Sequence, residues 1–236
     1  MKNETEHHLA ELEDVLGYRF QNPEILQRAL RHGSSVASDF AGSYQRLEFL
    51  GDAVLGHAVA LMLFKRFPSD DQGDLTRKRT HLVRSERLAE RAALLGLDGW
   101  VEVGQSLERG GGRESTNLLE DVFEAVIGAI VIDGGWDEAQ AFIMRELGDE
   151  VDGLDERTLM LANPKSALQE AAQAGAMLLP EYKLIRKGGT DHMRKWVYTV
   201  TWDGEEIARG EGRSKRGAQQ RAARRALVRL GLVPED

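Results

Sequence analysis

Two pairs of acidic residues lie inside apolar helical segments, and this placement constrains the fold more than any other feature of the sequence. Asp121 and Glu124 interrupt the apolar run at 118–127. Glu48 and Asp52 have leucine, phenylalanine and valine as their neighbours. Because residues three or four positions apart share one face of a helix, each pair predicts two carboxylates side by side. The fold must therefore bury both segments and still accommodate four negative charges.

These four carboxylates have two interpretations. Carboxylates held together in an apolar setting repel one another and resist ionisation. A divalent cation removes that repulsion, and Mg²⁺ prefers oxygen ligands while keeping several waters, so a metal site is one interpretation. The other is that the pairs lie on a solvated helix face, as acidic pairs at helical spacing usually do. Position alone leaves both open and identifies no reaction.

Positions 1–150 show helical periodicity almost throughout, and we predict that they form one all-α domain. Helix-start residues such as Ser85, and helix-ending glycines such as Gly33, separate the apolar runs. The predicted helices lie near 9–16, 22–32, 47–67, 76–84, 85–95, 118–132 and 137–147. The acidic segment 151–162 is only weakly patterned, and we predict that it is a linker.

Positions 163–233 have a different pattern, which predicts an α-β-β-β-α domain. Asn163-Pro164 and Ser214 are typical helix starts. Asp203-Gly204 favours a tight hairpin turn. Alternating apolar and polar residues predict strands near 182–186, 196–202 and 206–209. The predicted fold class is therefore α+β with two domains, an all-α domain followed by a helix-and-sheet domain.

The net charge of −8 averages two unlike regions. Residues 1–161 carry 17 basic and 30 acidic side chains, whereas residues 162–236 carry 14 basic and 9 acidic ones. Seven basic residues and no acidic residue lie between 213 and 229, a pattern that fits either a solvated basic helix or a polyanion-binding one. Residues 162–236, the tail, can therefore bind a polyanion. Residues 1–161 repel one unless cations neutralise their carboxylates.

Cysteine content and hydropathy bear on the cellular setting. The chain has no cysteine, which excludes disulfide frameworks and cysteine-ligated zinc or iron–sulfur sites. The longest uncharged stretch, 53–64, has twelve residues, whereas a membrane-spanning helix needs about 20. The first residues are polar and do not resemble a secretory signal. We therefore expect a protein of the cytoplasm with no membrane-spanning segment.

The segment RLEFLGDAVL at 46–55 resembles the signature of bacterial ribonuclease III. LEDVFEAVIG at 119–128 resembles the second acidic helix of that family, and Phe67-Pro68 followed by GDLT at 73–76 resembles a further motif. The tail is similar to a double-stranded-RNA-binding domain. The resemblance covers nearly the whole chain in the family's order. It implies a nuclease domain at 1–150, a linker at 151–162 and an RNA-binding domain at 163–233.

This resemblance implies an activity and a set of site residues. The implied activity is endonucleolytic hydrolysis of double-stranded RNA to 5′-phosphate and 3′-hydroxyl ends, in the processing of rRNA precursors, mRNA and other structured RNA. The implied cofactor is Mg²⁺, with Mn²⁺ able to replace it. Asp52 and Glu124 match catalytic residues, and Glu48, Asp121 and Glu124 match metal ligands. The family also implies a homodimer in which Phe49 enters a socket on the partner.

The same resemblance implies three RNA contacts in the tail. Gln169 and Glu170 on the first helix of that domain would meet one minor groove, and His192 in the loop between the first two strands would meet the next. Lys215 and Arg216, at the start of the last helix, would hold phosphates across the intervening major groove. Such a domain spans about 16 base pairs and reads A-form shape more than sequence.

Two positions depart from the family pattern. Gln45 and Gln72 stand where glutamate is usual, so two negative charges are lost while the four core carboxylates remain. One alternative is a non-enzymatic RNA-binding protein with a degenerate nuclease domain, against which the four carboxylates argue. Another is a helical metal-dependent phosphohydrolase of small phosphates, against which the basic tail argues.

Overall fold

The computed structural model describes residues 2–36, 40–175, 178–188 and 194–235. The chain divides into two compact units, Met1–Gly153 and Leu154–Asp236. The first is helical and the second combines helices with one antiparallel sheet, so the predicted fold class is confirmed.

The first unit contains eight α-helices within the described residues, and local sequence explains where several of them begin. The Asn22 side chain accepts a hydrogen bond from the Glu24 amide (3.1 Å), with Pro23 as the first helical residue. Ser115 accepts one from the Leu118 amide (3.3 Å). The helices are α1 Lys2–Leu16, α2 Pro23–Ala29, α3 Gln45–Arg66, α4 Gln72–Leu82, α5 Ser85–Leu94, α6 Gln105–Arg109, α7 Thr116–Gly134 and α8 Trp136–Asp152.

Helix α7 forms the centre of this unit. Every residue from 122 to 130 is buried, and α7 packs against α2, α3, α5 and α8. Helix α3, its most extensive neighbour, is long and apolar enough to cross a membrane by length and composition alone. That is weak evidence of a membrane span, because core helices of soluble proteins pass the same test, and α3 carries Glu48 and Asp52 and lies against α7.

The second unit contains α9 Glu156–Ala162, α10 Pro164–Ala174, β1 Glu181–Gly188, β2 Lys195–Trp202, β3 Glu205–Gly212 and α11 Lys215–Arg229. The strands form an antiparallel sheet in the order β1-β2-β3. Asp203 and Gly204 form the predicted two-residue turn, and both have positive φ (51° and 81°). Leu168 of α10, Val200 of β2 and Leu227 of α11 belong to the buried core between the helices and the sheet.

The segment 151–162 differs from the predicted linker. Helix α8 continues to Asp152, and α9 begins after Asp155, whose side chain accepts a hydrogen bond from the Thr158 amide (2.6 Å). Met160 and Leu161 pack against the core of the second unit. This capped turn and its two apolar contacts make most of the segment helical.

Candidate active site

The acidic segments meet because α3 and α7 cross at two glycines. A Cβ atom at Gly51 would lie 1.8 Å from the carbonyl oxygen of Glu124, and one at Gly128 would lie 2.1 Å from that of Leu47. No other residue fits at such distances, so the two backbones touch at this crossing. Gly51 lies between the acidic residues of α3, and Gly128 lies one turn after the acidic pair of α7. The crossing therefore brings both pairs to one place.

The carboxylates at this crossing act on one another electrostatically. Burial, followed by the charges of Asp52, Glu120, Glu48 and Asp121, raises the pKa of Glu124 to about 8. Burial, followed by the charges of Asp121, Glu120 and Asp52, raises the pKa of Glu48 to about 7. Without a counter-ion, a large fraction of each of these two carboxyl groups is therefore protonated at neutral pH.

A tyrosine that the sequence analysis did not identify holds one member of this acidic cluster. Buried Tyr44, directly before α3, donates a hydrogen bond from its hydroxyl to Oδ2 of Asp121 (2.9 Å). Burial and the Asp121 charge raise the pKa of Tyr44 well above its usual value, so the hydroxyl remains a donor. Burial raises the pKa of Asp121, and this hydrogen bond opposes that rise. The His32 ring packs edge-on against the Tyr44 ring, with centroids 5.6 Å apart.

The carboxylates of the cluster differ in exposure, and this argues against one of the two interpretations for its most buried member. Glu124 is buried at 9% exposure, Glu48 and Asp121 are half-buried, and Asp52 is exposed. A buried carboxylate does not belong to an ordinary solvated helix face. The interpretation of the α7 pair as a solvated face is therefore wrong for Glu124.

The donors of the acidic cluster, all within the described residues, suit a divalent cation by their chemistry, although they do not converge into a complete ligand set. Across the described ranges, no three His, Cys, Asp or Glu side chains converge as placed into a group able to hold a metal ion. The chemistry of the donors nevertheless fits a hard cation, because the cluster offers carboxylate oxygens and its raised pKa values arise from burial and repulsion that a cation would relieve.

Phe49 lies in an apolar groove of the first unit. Its side chain is 81% exposed, and Ile132 of α7 is 56% exposed beside it. Leu50 and Gln45 also line this groove. Gln45 is the first residue of α3 and Gln72 the first of α4, and both are exposed. The assignment of Phe49 to a dimer interface stays a prediction.

The predicted RNA contacts in the second unit lie at its surface where the structure describes them. Gln169 and Glu170 are exposed on α10. Lys215 and Arg216 are exposed in the first turn of α11, which the Ser214 hydroxyl caps by accepting a hydrogen bond from the Gly217 amide (3.0 Å). His192 lies outside the described residues. The roles of all five stay predictions.

Comparison with known proteins gives consistent matches for both units. A family model described as Ribonuclease-III-like matches residues 22–151, and one for the double-stranded RNA binding motif matches residues 164–230. The chain is 41% identical to "Ribonuclease 3" of Solibacter usitatus, covering 93% of this chain and 86% of the relative. It is 39% identical to "Ribonuclease 3" of Symbiobacterium thermophilum, covering 91% of each chain.

Solved structures match the first unit. The nuclease domain of ribonuclease III from Campylobacter jejuni, solved at 2.2 Å, is 35% identical with a TM-score of 0.57, covering 62% of this chain and 97% of that one. A second structure of that nuclease domain, described for flexibility in a region involved in dimer formation, is 36% identical with a TM-score of 0.56. It covers 58% of this chain and 94% of that one.

Proposed function

The chain belongs to the ribonuclease III family and is an endoribonuclease of double-stranded RNA, and we propose that it hydrolyses that RNA at the four-carboxylate cluster with Mg²⁺. The observation that carries the proposal is the glycine crossing, because it buries Glu124 among other carboxylates whose repulsion a cation relieves. In a helix crossing with only a structural role, that repulsion would destabilise the fold with no compensating function.

We assign each residue of the cluster a role. Glu48, Asp121 and Glu124 would hold Mg²⁺, or Mn²⁺ in its place, and the bound cation would supply positive charge and Lewis acidity at a phosphodiester attacked by water. Tyr44 fixes the orientation of Asp121 through its hydrogen bond. Asp52 is the exposed member of the cluster, and we propose that its carboxylate accepts the proton released by the attacking water.

The raised pKa values give this proposal a pH dependence. A carboxyl group must lose its proton before it can bind a cation, so protons and Mg²⁺ compete for Glu48 and Glu124. The pKa values of these groups are about 7 and about 8 without a cation. The Mg²⁺ concentration needed for half-maximal cleavage should therefore fall as pH rises from 6 to 8.

Features of each unit outside the acidic cluster support the rest of the proposal. The exposed Phe49 and its groove suit a homodimer contact through α3, which would bring two clusters to one duplex. Gln169, Glu170, His192, Lys215 and Arg216 are the proposed RNA contacts of the second unit. We place the enzyme in the cytoplasm, which suits a chain without cysteine. We also propose that it processes rRNA precursors, mRNA and other structured RNA.

A matched pair of variants tests the site. Glu124→Gln should abolish Mg²⁺-dependent cleavage of a long RNA duplex while leaving duplex binding within about twofold, because binding depends mainly on phosphate contacts elsewhere. Glu120→Gln removes a charge one turn away at a residue with no assigned ligand role, and should keep most of the activity. Fluorescence anisotropy and gel cleavage measure the two effects. Wild-type cleavage by Glu124→Gln, or equal loss in both variants, would contradict the assignment.

A further inference from the structure

The last helix of the second unit is hydrogen-bonded to the free edge of the sheet. In the described part of the chain no strand pairs with β3 on the side away from β2. Three arginines of α11 donate to backbone carbonyls of β3, and we call them the arginine ladder. The hydrogen bonds run from Nη1 of Arg221 to the carbonyl of Glu211 (2.6 Å), of Arg225 to Arg209 (2.9 Å) and of Arg229 to Ile207 (2.7 Å).

The spacing of the ladder follows from the geometry of helices and strands. The arginines are four residues apart, which is about 6 Å along a helix. The accepting carbonyls of Glu211 and Arg209 are two residues apart, which is about 6.6 Å along a strand, and they lie on the same side of it. The third, that of Ile207, lies at a β-bulge, where the pairing of β3 with β2 skips one residue between Glu206 and Ala208. Helix and strand run in opposite directions, so arginines later in α11 meet carbonyls earlier in β3.

Two glycines bring α11 close enough for these contacts. A Cβ atom at Gly210 would lie 2.2 Å from the Ala222 amide nitrogen, and one at Gly212 would lie 2.6 Å from that of Ala218. The backbone of α11 therefore lies directly against the backbone of β3 at these two positions. From this position the arginine side chains are long enough for their guanidinium groups to meet the carbonyls of β3.

We propose that the arginine ladder closes the β3 edge against strand pairing with a second copy of this chain. An open edge strand presents unpaired carbonyl and amide groups that template pairing, and proteins generally block such edges. The ladder already occupies the three carbonyls that an incoming strand would need. Two copies approaching edge to edge would also bring six guanidinium groups together, and their repulsion adds to the block.

The arginine ladder separates two groups of three among the seven basic residues of the α11 region, and Arg224 belongs to neither group. The sequence shows seven between 213 and 229, a pattern that fits either a solvated basic helix or a polyanion-binding one. Three of them are directed to β3 carbonyls. Arg213, Lys215 and Arg216 are exposed at the start of the helix and make up the group available to RNA.

Two triple variants of the full chain, matched in charge, test the proposal. Arg221→Gln, Arg225→Gln, Arg229→Gln removes the ladder, and Arg213→Gln, Lys215→Gln, Arg216→Gln removes three charges elsewhere. In sedimentation velocity without RNA, the ladder variant should form species larger than wild type as its concentration rises, whereas the control should sediment as wild type. A folded ladder variant that sediments as wild type, or equal association in both variants, overturns the proposal.

Further variants separate edge pairing from unfolding. Adding Arg209→Pro to the ladder variant removes an edge-facing amide, which edge strands tolerate, and should return the protein to wild-type sedimentation. Association that persists with Arg209→Pro would mean that strand pairing is not its cause. If circular dichroism shows the triple variant unfolded, Arg225→Gln alone should still associate with concentration, and wild-type sedimentation of that variant would overturn the proposal.

Duplex RNA binding gives a second readout, which rests on the proposed function, whereas sedimentation does not. Each lost phosphate contact lowers the dependence of log K on log salt by roughly 0.9. In the control variant, the magnitude of the slope of log K against log salt should therefore fall by up to about 2.7. In the ladder variant it should fall by less than about 0.9. Equal losses would contradict the division of the basic residues even if the ladder blocks pairing.

Discussion

Glycines let two backbones touch in each unit, and in each case charged side chains gather beside the contact. At Gly51 and Gly128 the charges are carboxylates that meet one another, and burial and repulsion raise their pKa values. At Gly210 and Gly212 the charges are arginines that meet backbone carbonyls at hydrogen-bonding distance. The first arrangement brings together buried and half-buried carboxylates that repel one another, whereas the second uses exposed guanidinium groups as hydrogen-bond donors to the backbone. Mutual repulsion at a buried position therefore distinguishes the candidate active site from a structural contact of similar construction.

The largest expected effect comes from filling the glycine crossing of the first unit. Gly51→Ala places a Cβ atom 1.8 Å from a backbone oxygen, so α3 and α7 must separate. We expect a loss of about 3 kcal/mol or more in the free energy of unfolding, measured by urea denaturation, together with loss of cleavage.

Gly56→Ala is the matched control for this change. Gly56 lies in the same helix, and a Cβ atom there would meet nothing within 4 Å. Alanine is preferred to glycine inside a helix, so this variant should gain up to about 1 kcal/mol and keep its activity. Similar unfolding curves for the two variants would show that the crossing is not the close contact described here.

A smaller effect is expected at the edge of the acidic cluster. Tyr44→Phe removes the donor to Asp121, which raises the pKa of that carboxyl further and weakens its hold on a cation. A hydrogen bond to a charged group contributes about 1.5 kcal/mol, so the Mg²⁺ concentration for half-maximal cleavage should rise up to about tenfold. The pH profile of cleavage should also shift towards alkaline pH.

Tyr18→Phe provides the comparison for this prediction. Tyr18 also donates to an aspartate of α7, Asp133 (2.7 Å), but that residue lies about three turns beyond Asp121. The variant should lose comparable stability with no change in the Mg²⁺ requirement or the pH profile. An equal shift in both variants would mean that Tyr44 acts through general stability and not on the cluster.

The fold class was predictable because it depends on local patterns, and so were the positions of the two acidic pairs, whose catalytic and metal-binding roles stay predictions. Helical periodicity, glycine and proline signals and the hairpin dipeptide act over a few residues, and the two acidic pairs stand out against apolar neighbours. Tyr44 was not predictable, because its partner Asp121 lies 77 positions away and nothing in the sequence joins them. Helix α9, within the segment 151–162 predicted as a linker, was not predicted, because its only local signals are one capping aspartate and two apolar residues.

The arginine ladder shows the same limit in the second unit. The four-residue spacing of Arg221, Arg225 and Arg229 is visible in the sequence and places them on one helix face. What that face contacts depends on the sheet order and on the close approach at Gly210 and Gly212, which are tertiary features. A basic run therefore looks uniform in sequence although its members differ in what they bind.

We propose that the carboxylates gathered at the α3–α7 crossing retain protons until a divalent cation replaces them. Calorimetric titration of the RNA-free protein with Mg²⁺ at pH 7, in two buffers of different ionisation enthalpy, measures the protons released on binding. We predict release of about one proton per site, because the pKa values of Glu48 and Glu124 are about 7 and about 8 without a cation, and a smaller release from Glu124→Gln. Identical heats in both buffers, or the same proton release from Glu124→Gln, would contradict the claim.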